Sequence, residues 1–210
     1  MSYLPEFLTV AVAHALAVAS PGPDFALVLR QSLAHGRRTA VWTSLGIGTG
    51  ISLHIGYSLL GIGLLLKGSA AAFVVLKYAG AAYLAWIGVQ ALRAKPRDPA
   101  ALTAGRAPDA PADGAAFRVG FLTNALNPKA TMFFLALFPN AVSPETPKVM
   151  QAGYGLWIIG YTAAWFCFVS VVFTRREVRD RFLRHGHWID RALGVVFLGF
   201  AASLAFATLG

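Results

Sequence analysis

Two short segments of this 210-residue chain place charged side chains beside prolines within long apolar runs. Residues 20–24 read Ser-Pro-Gly-Pro-Asp, and residues 127–129 read Asn-Pro-Lys. Proline has no amide hydrogen, so each segment is expected to break a helix and leave carbonyls of the preceding turn unpaired. Such carbonyls, together with Asp24, can bind a cation. Lys129 and the N-terminus of the helix that follows Pro128 can bind an anion.

The composition around these segments indicates a membrane environment. Hydrophobic residues make up 57% of the chain and charged residues only 13%, with the charges clustered between uncharged stretches. A helix needs about 20 apolar residues to cross the hydrocarbon core of a bilayer. Six stretches are candidates: 4–20 with its continuation past the break, 41–66, 70–92, 117–139, 149–173 and 192–210. They leave little chain for a soluble domain, so the membrane part is expected to carry the function.

The net charge of +9 does not indicate nucleic-acid binding, because of where the basic residues lie. Most of them fall in the first, third and fifth connections between candidate spans. Cytoplasmic loops of membrane proteins are enriched in Lys and Arg. These connections are therefore predicted to be cytoplasmic and both termini periplasmic. His185 and His187, in the fifth connection, are expected to be solvated.

Polar residues interrupt two of the candidate spans. In the second, small and polar residues keep to one helical stripe, which favours close helix packing; they are Gly46, Gly50, His54, Tyr57, Ser58 and Gly61. His54 is either satisfied by a neighbouring hydroxyl or carbonyl, or responsive to protons. In the fourth span, Asn124 and Asn127 precede Lys129. A charge inside a span is a functional hypothesis by default, and the alternative is a structural pairing with a buried acid.

The two halves of the chain have related patterns. The spacing basic-x-x-Gly-x-x-aromatic-Leu occurs at 77–84 and 191–198, and the two breaks fall in spans one and four. Three spans is an odd number, so two similar halves must be inverted in the membrane, as in many secondary transporters. The predicted fold is an all-α integral membrane protein with six transmembrane helices in two inverted three-helix repeats, helices 1 and 4 being broken. The repeats are 1–92 and 117–210, joined by a cytoplasmic Pro/Ala-rich linker at 93–116.

Several motifs follow one another in a specific order. They are Ser-Pro-Gly-Pro-Asp-Phe-Ala-Leu-Val at 20–28, Gly-Arg-Arg at 36–38, Gly-Ile-Gly-Thr-Gly at 46–50, Lys-Tyr-Ala-Gly-Ala-Ala-Tyr-Leu-Ala-Trp-Ile-Gly at 77–88, and Phe-Arg-Val-Gly through Asn-Pro-Lys at 117–129. Together they resemble the LysE/RhtB family of bacterial amino-acid exporters, over nearly the whole chain. The resemblance implies six helices in the inner membrane and proton-driven export of amino acids or close derivatives. It does not identify the substrate.

A zwitterionic amino acid needs an anionic or carbonyl-rich partner for its ammonium group and a donor-rich partner for its carboxylate. Asp24 with the freed carbonyls suits the first role, and Lys129 with the helix N-terminus and asparagines suits the second. Asp24 is also a candidate for the coupled proton, with His54 as competitor; alternatively, Asp24 and Lys129 pair when the site is empty. The candidate substrate-binding or coupling residues are Pro21, Gly22, Pro23, Asp24, His54, Asn124, Asn127, Pro128 and Lys129.

Other classes of function fit the residues less well. An intramembrane enzyme needs a convergent nucleophile, base or metal ligands, and a scaffold has no need of two polar breaks. The nearest alternative is an exporter of cations or other small metabolites, although a cation site should be richer in carboxylates or thiols. No catalytic residue, metal site or cofactor is predicted. The expected partners are an amino acid, the proton and the lipid bilayer, but no nucleic acid, and a homo-oligomer is left open.

Overall fold

The computed structural model describes residues 3–68, 70–95, 109–143 and 145–206, and these residues fold into eight helices without strands. The helices are α1 (Leu4–Ala19), α2 (Pro23–Ala34), α3 (Gly36–Gly68), α4 (Ala70–Leu92), α5 (Asp113–Ala125), α6 (Pro128–Ala141), α7 (Lys148–Phe173) and α8 (Arg176–Phe206). The all-α expectation is confirmed for this part of the chain. Most of the predicted linker, residues 96–108, lies outside the described residues, and α5 begins within the linker's last part.

Both helix breaks occur at the predicted prolines. α1 ends at Ala19 and α2 begins at Pro23, with a bend of 50° between the two axes. α5 ends at Ala125 and α6 begins at Pro128. Proline is favoured in the first turn of a helix because its missing amide hydrogen would have no partner there. The local sequence therefore accounts for where each new helix starts.

The helices differ in how well each could cross a membrane alone. Among the described helices, α7 is long and apolar enough to do so, and α1 and α2 meet the same criteria together as one bent span. In chain order, the six predicted spans correspond to α1 with α2, then α3, α4, α5 with α6, α7 and α8.

The first pair of packed helices, α3 and α5, runs parallel. Near their N-termini Arg38 donates two hydrogen bonds to Asp113, at 2.8 and 3.0 Å, which hold the pKa of that carboxyl below its ordinary value. Further along, His54 Nε2 lies 2.8 Å from the carbonyl oxygen of Asn124. α1 and α7 are also parallel, since the contact of Tyr3 with Tyr154 is followed by that of His14 with Thr162.

Two other pairs run antiparallel. Ser44 of α3 contacts Ser170 near the end of α7, whereas Ile55 packs against Gly155 near its start. In α4 and α8, the backbone of Gly88 lies against Leu198 and that of Gly194 against Leu92. The contacts thus assign a relative direction to each helix pair.

Glycines allow the close approach of α3 to α5. A Cβ atom on Gly46 would collide with the carbonyl oxygen of Phe117, and one on Gly120 with that of Thr43. A Cβ atom on Gly50 would lie 3.0 Å from the Cβ atom of Asn124, which is also tighter than ordinary contact. The part of the predicted stripe that contains Gly46 and Gly50 therefore faces a neighbouring helix, and small side chains are required there.

The fifth connection differs from its prediction. α8 starts at Arg176, so the segment expected to be a loop is helical. Its buried residues recur at helical spacing and form one buried stripe; they are Leu183, Gly186, His187 and Asp190. His185 is exposed as expected, but the expectation of a solvated His187 is wrong, because the stripe carries it inward and leaves it 8% exposed.

Candidate functional site

The two helix breaks meet through the side chain of Lys129. Its Nζ donates a hydrogen bond to the carbonyl oxygen of Ser20 at 2.6 Å and a longer one to that of Pro21 at 3.4 Å. Lys129 lies in the first turn of α6, immediately after Pro128. A buried carbonyl at a broken helix needs a hydrogen-bond donor, and the ammonium group of the second break supplies it to the first.

Asp24 lies beside this contact, in the first turn of α2. Its Oδ2 accepts hydrogen bonds from the side-chain amides of Asn124 and Asn127, both at 2.9 Å. Its Oδ1 is buried and has no hydrogen-bond partner among the described residues. One carboxylate oxygen is therefore held by amide donors, and the other is available to a ligand.

Asn127 joins the carboxylate to the start of α6. Its Oδ1 accepts a hydrogen bond from the backbone amide of Lys129 at 2.9 Å, and its amide group donates to Asp24. A side chain that accepts a bond from a first-turn amide caps the helix. The N-terminus of α2 has no such side-chain cap at Gly22, and its first turn instead carries the carboxylate of Asp24.

Asp24 and Lys129 influence each other electrostatically but do not form a direct ion pair. The ammonium group is directed at the carbonyls of Ser20 and Pro21, and the carboxylate at two asparagine amides. The alternative in which these two charges pair in the empty site is therefore not the arrangement in this structure.

His54 is fully buried behind Asp24, on α3. Its Nε2 must donate to the carbonyl oxygen of Asn124, because a carbonyl can only accept. Its Nδ1 lies 2.7 Å from the hydroxyl of Tyr57, which is also 3.4 Å from the carbonyl oxygen of Thr131. Tyr57 can thus donate to a neutral imidazole, or accept from an imidazolium while donating to Thr131. Both charge states of His54 have partners for each ring nitrogen.

Two cavities meet at Lys129. The larger has a volume of about 370 Å³ and is lined by the first break, by one face of α4 and by Asp190. This volume falls within the range of about 300–1,000 Å³ that is typical of small-molecule sites. The smaller cavity, of about 40 Å³, lies among His14, Asp24 and several aromatic rings. Ser20, Gly22, Ile87, Asn127 and Lys129 line both cavities.

Polar contacts join the helices near the N-terminus of α1. The hydroxyl of Thr146 donates to the carboxylate of Glu6 at 2.9 and 3.0 Å, and Gln151 donates to the carbonyl oxygen of Thr146 at 2.8 Å. The hydroxyl of Tyr154 donates to the carbonyl oxygen of Tyr3 at 3.2 Å. These contacts tie α1 to α7 and to the connection between α6 and α7.

The structure brings most of the predicted site residues to the cavity walls. Those in the walls are Pro21, Gly22, Pro23, Asp24, Asn127, Pro128 and Lys129. Asn124 and His54 instead stand behind Asp24, where Asn124 bonds both the carboxylate and His54.

Among the wall residues that the sequence-based prediction of the site omits, one carries an imidazole and one a carboxylate. His14 lines the small cavity and Asp190 the large one. Each is an ionisable residue in or beside an apolar run, and this is the signal by which both could have been found.

Comparison with known proteins places this sequence in a family. A family model described as LysE type translocator matches residues 15–208. The threonine efflux protein of Escherichia coli K12 is 34% identical over 198 residues, which cover 94% of this chain and 96% of that protein. The homoserine/homoserine lactone efflux protein of Salmonella typhimurium is 36% identical over 132 residues, covering 63% and 62% respectively. An uncharacterized membrane protein of Vibrio cholerae is 37% identical over 166 residues, covering 75% and 78%.

No solved structure matches the chain significantly. The match to the family model nevertheless spans nearly the whole sequence, and the expectation of a transporter rather than an enzyme is confirmed by it. The chain belongs to the LysE-type translocator family.

Proposed function

We propose that this protein exports amino acids or close derivatives across the bacterial inner membrane in exchange for protons. The names of the threonine and homoserine efflux relatives support the substrate class. The observation that carries the proposal is the contact of Lys129 with the carbonyls of the first break, beside the unpartnered oxygen of Asp24. Positive, negative and carbonyl groups lie together there, as a zwitterion requires.

The proposed topology has six spans in two inverted halves, 1–92 and 117–210, with both termini periplasmic. It is supported by the directions of the packed helices. A chain that crosses back and forth makes α3 parallel to α5 and antiparallel to α7, as their contacts require. It also makes α4 and α8, the third spans of the two halves, antiparallel, in agreement with the Gly88 and Gly194 contacts.

Substrate binding proceeds by exchange of one ammonium group for another. The amino group of the substrate replaces Lys129 Nζ at the carbonyls of Ser20 and Pro21, and also reaches Oδ1 of Asp24. Lys129, released from these carbonyls, binds the substrate carboxylate. Because a cation leaves the carbonyls as another arrives, no buried group loses its partner during the exchange.

Entry is from the cytoplasm in this conformation. The large cavity extends along α4 to Gln90 and Ala94, next to the basic connection predicted to be cytoplasmic. At the opposite end of α1, the contacts of Glu6 with Thr146 and of Tyr3 with Tyr154 hold the helices together. An exporter needs this state in order to capture its substrate.

The coupled proton is assigned to His54, and Asp24 to the substrate. Asp24 of α2 is electrostatically coupled to His54, and Tyr57 lies on the same helix as His54. Protonation of His54 reverses its hydrogen bond with Tyr57 without leaving either ring nitrogen unpaired. Binding of a cationic amino group at Asp24 therefore opposes a proton on His54, which is the coupling that antiport needs.

The test is transport by the purified protein in proteoliposomes. A panel of amino acids is assayed with and without an imposed proton gradient, in the wild type and in Asp24→Asn and Lys129→Met. Each variant should abolish transport while still inserting into the membrane. Asp109→Asn and Lys95→Met make the same chemical changes at exposed positions and should transport normally. Unimpaired transport by both site variants would exclude this site.

A further inference from the structure

His14 occupies a second polar position in the wall of the small cavity. It lies on α1, ten residues before Asp24, and is 1% exposed. Its Nε2 is 2.8 Å from the hydroxyl of Thr162 on α7. Its Nδ1 is buried and has no hydrogen-bond partner among the described residues. This nitrogen has no role in the contact between the two helix breaks or in the proposed binding of the proton at His54.

The imidazole ring is held in place by aromatic neighbours. Ring centroids lie 5.9 to 6.4 Å from it in four residues of α6 and α7; they are Phe133, Phe134, Trp157 and Tyr161. Packed rings and the Thr162 contact leave His14 little freedom to turn toward another partner. A buried polar atom without a partner costs free energy that a bound group can recover.

Two residues that line the cavity each have a buried polar atom without a hydrogen-bond partner among the described residues. Asp24 Oδ1 belongs to an acidic group, and His14 Nδ1 to an imidazole that can be neutral. Most of the remaining wall is apolar, including Ile51, Leu84 and Phe166. The volume of about 40 Å³ has room for roughly two or three water molecules, and hence for a side chain of only a few atoms.

We propose that His14 recognises the side chain of the transported amino acid and selects small side chains that carry a hydroxyl group. This inference rests on the proposed function, because it places the substrate's amino group at Asp24. A hydroxyl can donate to Nδ1 or accept from it, according to the tautomer that the Thr162 contact sets. A long side chain would not fit in this volume.

The expected consequence is discrimination between isosteric pairs. Threonine and valine have nearly the same shape but differ by one hydroxyl, as do serine and 2-aminobutyrate. A site built to bond a hydroxyl rejects the analogue that lacks it, because the buried protein group is then left unpaired. Only the hydroxylated member of each pair satisfies His14 Nδ1.

The experiment measures transport of both pairs by the wild type and by His14→Phe and His14→Gln in proteoliposomes. The wild type should favour the hydroxylated member by about tenfold or more. His14→Phe should bring this ratio close to one by slowing threonine and serine while leaving valine unchanged. His14→Gln, which keeps a hydrogen-bonding side chain, should retain part of the preference even if the phenylalanine variant fails to fold.

The possible results separate this inference from the function on which it rests. A wild type that transports no amino acid would remove the proposed function and the subsite with it. Transport by the wild type without a preference for the hydroxylated members would overturn the subsite alone. An equal loss for all four substrates in both His14 variants, with the thermal unfolding midpoint unchanged, would also overturn it.

Discussion

Lys129 Nζ donates a hydrogen bond to the carbonyl oxygen of Ser20 at 2.6 Å, across 109 positions of the sequence. The contact links the helix break in the first half of the chain to that in the second. It places an ammonium group of the protein where an ammonium group of the substrate is proposed to bind. In the proposed mechanism, Lys129 occupies the position of the substrate's ammonium group until the substrate displaces it.

Enlarging Gly22 should disturb the contact of Lys129 with the carbonyls of the first break, and with it the exchange of Lys129 for the substrate. A Cβ atom at Gly22 would lie 3.1 Å from Cδ of Lys129 and 3.4 Å from its Nζ. Overpacking of this kind typically costs about 1–3 kcal/mol, so Gly22→Val should slow transport by about tenfold and Gly22→Ala by less. Initial transport rates in proteoliposomes measure the effect. Gly153→Val, at a position with open space around it, is the control, and equal rates in wild type and Gly22→Val would contradict the role of Lys129.

The two asparagines that bond Asp24 should differ in their effect on stability. Asn124→Ala and Asn127→Ala each remove one amide donor from Oδ2, so both should reduce transport. Asn127→Ala also removes the cap of α6, at a cost of about 1 kcal/mol, or about 2–4 °C in the unfolding midpoint of a protein of this size. Thermal unfolding in detergent tests the difference. Equal midpoints for the two variants would show that the Asn127 cap adds no stability of its own.

Tyr57→Phe should weaken the coupling to protons more than it weakens substrate exchange. The substitution removes the hydroxyl that bonds Nδ1 of His54 and the carbonyl oxygen of Thr131, and this hydroxyl is the partner through which His54 is proposed to change its charge state. The ratio of gradient-driven uptake to substrate exchange should fall by about threefold or more, the scale of one hydrogen bond. Tyr78→Phe changes an exposed tyrosine and should leave this ratio unaltered. If Tyr57→Phe keeps the wild-type ratio, His54 is not the residue that binds the coupled proton.

Two glycines of α3 should respond oppositely to alanine. In Gly46→Ala the new methyl group collides with the carbonyl oxygen of Phe117, so α3 and α5 must separate, at a cost of about 1–3 kcal/mol. Gly56 has open space around it, and alanine there should be neutral or stabilising by up to about 1 kcal/mol through its helix propensity. Unfolding midpoints of both variants provide the test. A Gly46→Ala protein as stable as the wild type would contradict the close helix packing.

The positions of the helix breaks could be read from the residues around them. Proline acts on the backbone of its own turn, so Pro23 and Pro128 mark the starts of α2 and α6 without reference to the rest of the fold. The stripe on α3 was predictable for a similar reason, because helical periodicity places Gly46 and Gly50 on one face. In the fifth connection the density of charge favours a solvated loop, whereas the helical spacing of residues 183, 186, 187 and 190 matches the buried stripe that contains His187.

What each polar group of the site bonds to depended on contacts between distant helices. The sequence alone determined that Asp24 and Lys129 stand beside broken helices, since composition, proline and charge are local properties of the chain. Only the tertiary structure paired Lys129 with the carbonyl of Ser20, Asp24 with two asparagines, and His14 with the cavity. These partners lie about a hundred or more residues apart, and the packing of α1, α2, α5, α6 and α7 decides which of them meet.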